Sequence, residues 1–126
     1  MATSSGMFQY LSFPVATATV ITAGKAVVLN ASGQLAHAGA AAKGVIGIAQ
    51  VSSDNKTNNP IRVAVINGAK INGITGTAGV TNGDLLTSDA AGDLVEAQSG
   101  EPYFGVATET RTDGQLVQFV SVTGVA

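Results

Sequence analysis

Apolar and polar residues alternate along short stretches of this chain, and glycine or an Asx residue interrupts each stretch after a few positions. A period of two in segments rich in Val, Ile and Thr predicts half-buried strands. Such segments occupy residues 26–29, 45–51, 61–66, 85–87, 94–97, 103–108 and 116–122. Val15, Thr17, Thr19 and Ile21 also share one parity and predict a strand, as do Leu116, Gln118, Val120 and Val122. Turns are expected at Asn30-Ala31-Ser32-Gly33, Asn67-Gly68, Asp89-Ala90-Ala91-Gly92, Gly100-Glu101-Pro102 and Thr112-Asp113-Gly114. Asn72-Gly73 reads as a further turn, dividing residues 71–74. Residues 52–60 form a polar loop carrying Asn55, Asn58 and Asn59. Helix formers gather only between Leu35 and Ile46, where Gly39 and Gly44 weaken the signal; the fold does not need a helix there.

The pattern occurs twice. Gly24-Lys25-Ala26-Val27-Val28-Leu29-Asn30-Ala31-Ser32-Gly33-Gln34-Leu35 lies over Gly83-Asp84-Leu85-Leu86-Thr87-Ser88-Asp89-Ala90-Ala91-Gly92-Asp93-Leu94, at an offset of 59 (83 less 24). After a one-residue deletion, Gly47-Ile48-Ala49 lies over Gly105-Val106-Ala107. Glycines and apolar positions match, as a shared backbone requires. Charges do not: Lys25 lies over Asp84 and His37 over Glu96. A duplicated catalytic site would keep its polar residues, so the repeat favours a scaffold, with convergent turn chemistry as the competing explanation. The expected fold is all-β: a small barrel or sandwich built from two similar halves, about 21–68 and 80–124, within one domain at 15–126.

Residues 1–14 read as an extended N-terminal arm. Small polar residues at 2–6 precede Met7, Phe8, Tyr10, Leu11 and Phe13, which crowd together before Pro14. Three of the six aromatics of the chain fall here. Met7, Phe8, Tyr10, Phe13 and Pro14 are therefore candidate partner-binding residues. The alternative is a first strand whose aromatics join the domain's own core.

Composition narrows the function. Only 11% of residues are charged, against about 25% in a typical soluble domain. A surface so poor in charge suits contact with other protein, whether an oligomer or a lattice. The alternative is a monomer whose polar surface is Thr, Ser and Asn. The six basic residues are scattered, so no stripe exists to neutralise phosphates, and nucleic-acid binding is not expected. Absence of cysteine removes disulfides, thiolate catalysis and Cys-based metal sites. No apolar run approaches the roughly 20 residues that span a bilayer. The first residues lack the features of a signal peptide, so no membrane association and no general secretory export are expected.

Candidate chemistry is sparse. His37 has no carboxylate or second histidine beside it in sequence and reads as an incidental surface residue. Asp84, Asp89 and Asp93 lack the ligand order of a calcium loop, and turn preference explains Asp89. Glu96 and Glu101 have nothing that marks them as an acid/base pair. Gly44-Val45-Ile46-Gly47 and Gly73-Ile74-Thr75-Gly76 lack phosphate-loop spacing. No catalytic, cofactor-binding or metal-binding residue is assigned, and the expectation is a protein that is not an enzyme and takes no cofactor.

A series of segments resembles the capsid-decoration, or cement, proteins of tailed bacteriophages: Phe13-Pro14-Val15, Ile21-Thr22-Ala23-Gly24-Lys25-Ala26-Val27, Gly44-Val45-Ile46-Gly47-Ile48-Ala49-Gln50, Ile61-Arg62-Val63-Ala64-Val65, Gly83-Asp84-Leu85-Leu86-Thr87 and Gly105-Val106-Ala107. The resemblance covers about residues 13–122. It implies a compact β domain, usually a homotrimer, on the capsid exterior of a virion, where it stabilises junctions between subunits of the major capsid protein. It further implies an N-terminal arm that reaches the shell and adds a strand to it, here through residues 12–15. The duplicated half departs from the head-decoration protein of phage lambda. Rival readings are a tail or baseplate structural protein and a surface carbohydrate-binding or adhesin module.

Overall fold

A computed structural model describes residues 9–15, 19–53 and 60–126 of the 126-residue chain. Ten strands form two antiparallel five-stranded sheets. The first holds β1 (Tyr10–Phe13), β2 (Ala26–Leu29), β3 (Leu35–His37), β4 (Gly47–Ala49) and β5 (Ile61–Val65), in the order β1-β5-β4-β2-β3. The second holds β6 (Lys70–Ile74), β7 (Leu85–Ser88), β8 (Leu94–Glu96), β9 (Pro102–Ala107) and β10 (Leu116–Val125), in the order β6-β10-β9-β7-β8. The second order is the first with every strand number raised by five. The fold is an all-β sandwich of two similar halves; of the two architectures expected, the closed barrel is not the one formed.

Register repeats as well as order. Leu11 pairs with Val63 in β1–β5, and Ile71 with Phe119 in β6–β10. Ile48 pairs with Ala64 in β4–β5, and Val106 with Val120 in β9–β10. The turn chemistry repeats atom for atom. Asn30 Oδ1 accepts the Ser32 and Gln34 N–H groups at 2.9 and 3.0 Å. Asp89 Oδ1 accepts those of Ala91 and Asp93, both at 2.9 Å. Each turn closes on a glycine at positive φ, 78° at Gly33 and 85° at Gly92, which a side chain would resist.

Alternation decides what is buried. On β2, β4 and β5, Ala26, Ile48 and Ala64 face one way and Val27, Ala49 and Val63 the other, and all six are buried. The first trio joins Ile71, Leu86, Leu94, Phe104, Val117 and Phe119 of the second half in the larger core. The second trio packs with Val15, Ile21, Leu35 and Ile61 in a core made wholly of first-half residues. The first sheet is therefore covered on both faces. On β10 the buried parity is Val117, Phe119 and Ser121, leaving Leu116 and Val122 at 57% and 41% exposure.

Two local expectations need correction. Asn72-Gly73 is not a turn: it lies inside β6, opposite Gln118 and Val117. Glycine is required at 73 because a Cβ would stand 2.8 Å from Leu94 Cδ1 and 3.3 Å from Ile48 Cδ1. Val15 and Ile21 are buried, yet residues 14–15 and 19–22 are in no strand; Thr17 lies outside the described residues. Ile21 is instead held by side-chain bonding, its N–H donating to Ser53 Oγ at 2.8 Å. The alanine-rich segment forms β3 and a loop, and there is no helix among the described residues. Asn55, Asn58 and Asn59 lie outside them.

Candidate functional site

The five candidate partner-binding residues do not form one patch. Met7 and Phe8 lie outside the described residues. Tyr10 and Phe13, three apart on a strand, face opposite ways. Tyr10 is 43% exposed and carries the Arg62 guanidinium 5.2 Å from its ring centroid. Beside it Leu11 is 50% exposed. Phe13 packs against the first-half core. Pro14 is exposed, and its carbonyl accepts the Leu35 N–H at 2.9 Å. Residues 10–13 of the segment read as an arm are thus an edge strand. Their pairing with β5 consumes one side of the backbone; the other is the sheet edge.

A cleft of about 430 Å³ opens between the halves, bounded by Gly24, Ala49 and Gln50 on one side and Asn72, Ile74 and Leu116 on the other. None of these residues supplies an acid, a base or a nucleophile. Among the described residues no group of three or more His, Cys, Asp or Glu side chains is placed to hold a metal. The aspartates work within turns: Asp84 Oδ2 accepts the Thr81 N–H at 2.8 Å, as Asp89 does for its own turn.

Polar interactions instead fasten the two halves together. Lys25 Nζ lies 3.3 Å from Asp93 Oδ1 and donates to the Ala91 carbonyl at 3.2 Å. The Lys25–Asp93 contact is an ion pair without hydrogen-bond alignment at the carboxylate oxygen. Alongside it, the Ala26 N–H donates to the Gly92 carbonyl and the Ile74 N–H to the Gly24 carbonyl, both at 2.9 Å. Ser88 Oγ donates to the Gly39 carbonyl at 2.6 Å. Ser121 Oγ donates to the Ala69 carbonyl at 2.8 Å and ties the linker between halves to β10.

His37 is not an incidental surface residue. Its Nε2 accepts the Thr22 N–H at 2.9 Å, fixing the loop before β2. Burial holds its pKa below the usual histidine value, the Lys25 charge adds to that, and Asp93 opposes it. The acceptor role itself requires a neutral ring. No local sequence signal marks this contact, because its partner is a backbone N–H 15 residues away.

No protein-family model matches the chain, and no curated protein matches it. The fold does have a solved counterpart: the N base of the head fiber protein gp8.5 of bacteriophage phi29, at a TM-score of 0.67. That similarity covers 90% of this chain and 95% of the other, with 21% sequence identity, so what it shows is a shared fold over nearly the whole of both chains.

Proposed function

We propose that the chain is a non-enzymatic structural protein of a phage head, decorating the capsid exterior and stabilising junctions between major capsid subunits. The observation that carries this reading is the near-complete fold overlap with a base domain from a phage head fiber. Two features support it. The cleft between the halves is bounded by residues without acid–base or nucleophilic chemistry. The exposed large apolar residues sit on strands and loops at the surface, as contact surfaces require: Tyr10 and Leu11 on β1, Leu116, Val122 and Val125 on β10.

Mechanically, such a protein adds buried area where shell subunits meet, at about 25 cal/mol per Å² before the cost of association. A homotrimer on a threefold position multiplies each weak contact. Within the arm, Tyr10, Leu11 beside it and Pro14 are the proposed contacts, with Met7 and Phe8 ahead of them in sequence, while Phe13 is turned to the first-half core; the outer edge of β1 is the proposed site of strand addition. The test is cosedimentation of the full chain with purified undecorated heads. Saturable binding is expected, weakened about tenfold by the double substitution Tyr10→Ala with Leu11→Ser. No binding by the unaltered chain refutes head decoration; unaltered binding by the double variant refutes the arm contact alone.

A further inference from the structure

The duplicated architecture leaves one face of each half without the covering that its twin has. Within the chain, the halves meet through two different surfaces. The first half contributes the Gly24, Ala26, Ile48 and Ala64 face. The second contributes the end of β6 and the Asp89–Gly92 turn. Glycines mark both sides of that contact. A Cβ on Gly24 would stand 2.7 Å from Ile74 Cδ1, and one on Gly92 would stand 3.2 Å from the Ala26 carbonyl oxygen.

The repeat relates each surface to a counterpart in the other half. Gly83, Leu85, Val106 and Val120 of the second half correspond to Gly24, Ala26, Ile48 and Ala64, which are covered. Yet among the described residues nothing lies within 4 Å of where a Gly83 Cβ would stand. Leu85, Val106 and Val120 are only half-buried, whereas their three counterparts are at 0–2% exposure. On the first half, Gly33 corresponds to Gly92 and is likewise open, with nothing within 4 Å among the described residues. Pro14 and Leu29, in the places of Ile74 and Ser88, are exposed. The chain thus ends on one side in a free copy of the first surface and on the other in a free copy of the second.

We infer that these two free surfaces bind each other between copies of this chain. The Leu85–Val106–Val120 face of one molecule packs on the Pro14–Leu29–Gly33 face of the next, repeating the contact between halves. The surfaces differ, so the contact is head-to-tail and either closes into a ring or propagates. Charge permits it. Where the internal contact pairs Lys25 with Asp93, the contact between copies sets Asp84 beside Gln34, a carboxylate beside an amide that can donate to it. One internal bond cannot recur: Pro14 has no N–H to replace the one that Ile74 donates to Gly24. The contact between copies is accordingly weaker than the contact within the chain, and reversible. This inference stands apart from the capsid reading, because it concerns the purified chain alone.

Sedimentation velocity of the full chain over a concentration series tests it. Masses above the 12.5 kDa monomer that grow with concentration are expected. Gln34 sits in a polar turn, and its side chain is free to change without touching either core. Gln34→Lys, which recreates an ion pair with Asp84, should tighten association about two- to fivefold, and Gln34→Glu should weaken it by a similar factor, both effects fading at high salt. Val120→Lys should abolish association. A monomer at every concentration overturns the inference. So does association indifferent to both Gln34 variants, which remain informative if Val120→Lys fails to fold.

Discussion

The two halves share a backbone and differ in their company. The first sheet is buried on both faces, against its own small core and against the second half. The second sheet is buried across one face and only partly covered on the other, where Thr87 is buried, Leu85, Val106 and Val120 are half-buried, and Leu116 and Val122 on β10 are exposed. Side-chain size follows this asymmetry. Position 63 on the first sheet is Val; its counterpart 119 on the second is Phe, whose ring lies over Gly105 and meets Phe104 edge-on at 6.0 Å. Leu11 is half exposed where its counterpart Ile71 is 1% exposed. The two halves keep the same turns and ladders, while their faces differ in what covers them.

The comparison can be broken hardest at its cores. Phe119→Ala should cost about 3–5 kcal/mol, since a fully buried ring cannot be replaced from its surroundings. Val63→Ala at the equivalent position should cost about 2 kcal/mol, which urea titration of both variants would check. Equal losses would show that the larger core does not dominate stability.

A second pair isolates the contact between halves. Gly24 and Gly83 have nearly the same backbone, at φ of 90° and 93°. Only Gly24 has Ile74 against it. Both alanine variants carry backbone strain of about 1–3 kcal/mol, and Gly24→Ala should lose about 1–3 kcal/mol more from overpacking. Thermal unfolding of the two variants reads the difference directly.

These glycines also explain how far the sequence could be read. The turns at Asn30–Gly33 and Asp89–Gly92 were legible because their chemistry is local: an Asx side chain caps the turn and glycine closes it. Strands with clear alternation, such as β5 and β10, were legible for the same reason. Asn72-Gly73 was misleading because Gly73 answers to Leu94 and Ile48, contacts made through the tertiary fold and not along the chain. Val15 to Ile21 misled for a related reason, since alternation reports burial and does not require a ladder. Of the proposed contact residues, sequence crowding singled out the aromatic group near the start but not its division into an outward Tyr10 and an inward Phe13. The free faces at Leu85 and Gly33 become visible only when the two halves are superposed in register.

Smaller effects sharpen the picture. Thr87 is 2% exposed and its Oγ1 has no hydrogen-bond partner among the described residues, while the first half has Val28 in the same place. Thr87→Val removes an unpaired buried hydroxyl at nearly constant volume and should stabilise the chain by about 1 kcal/mol, measured as a raised urea midpoint at constant slope. His37 gives the smallest effect. Its pKa is lowered in the folded chain, so the unfolded chain takes up the proton first as pH falls. Its contribution is intact above about pH 6.5, the unfolded value, and is lost as pH drops from there through the folded value. His37→Gln should flatten that part of the stability profile, and the protection of the Thr22 amide, taken relative to its intrinsic exchange rate at each pH, should fall with acid only in the unaltered chain.

The most direct test of a head-surface role is electron microscopy of the source particle, comparing heads that carry the chain with heads that lack it. The expected result is added density on the outer surface of the shell, fitted by the paired five-stranded sheets and touching more than one capsid subunit. Heads identical with and without the chain, or density confined to the tail, would contradict it.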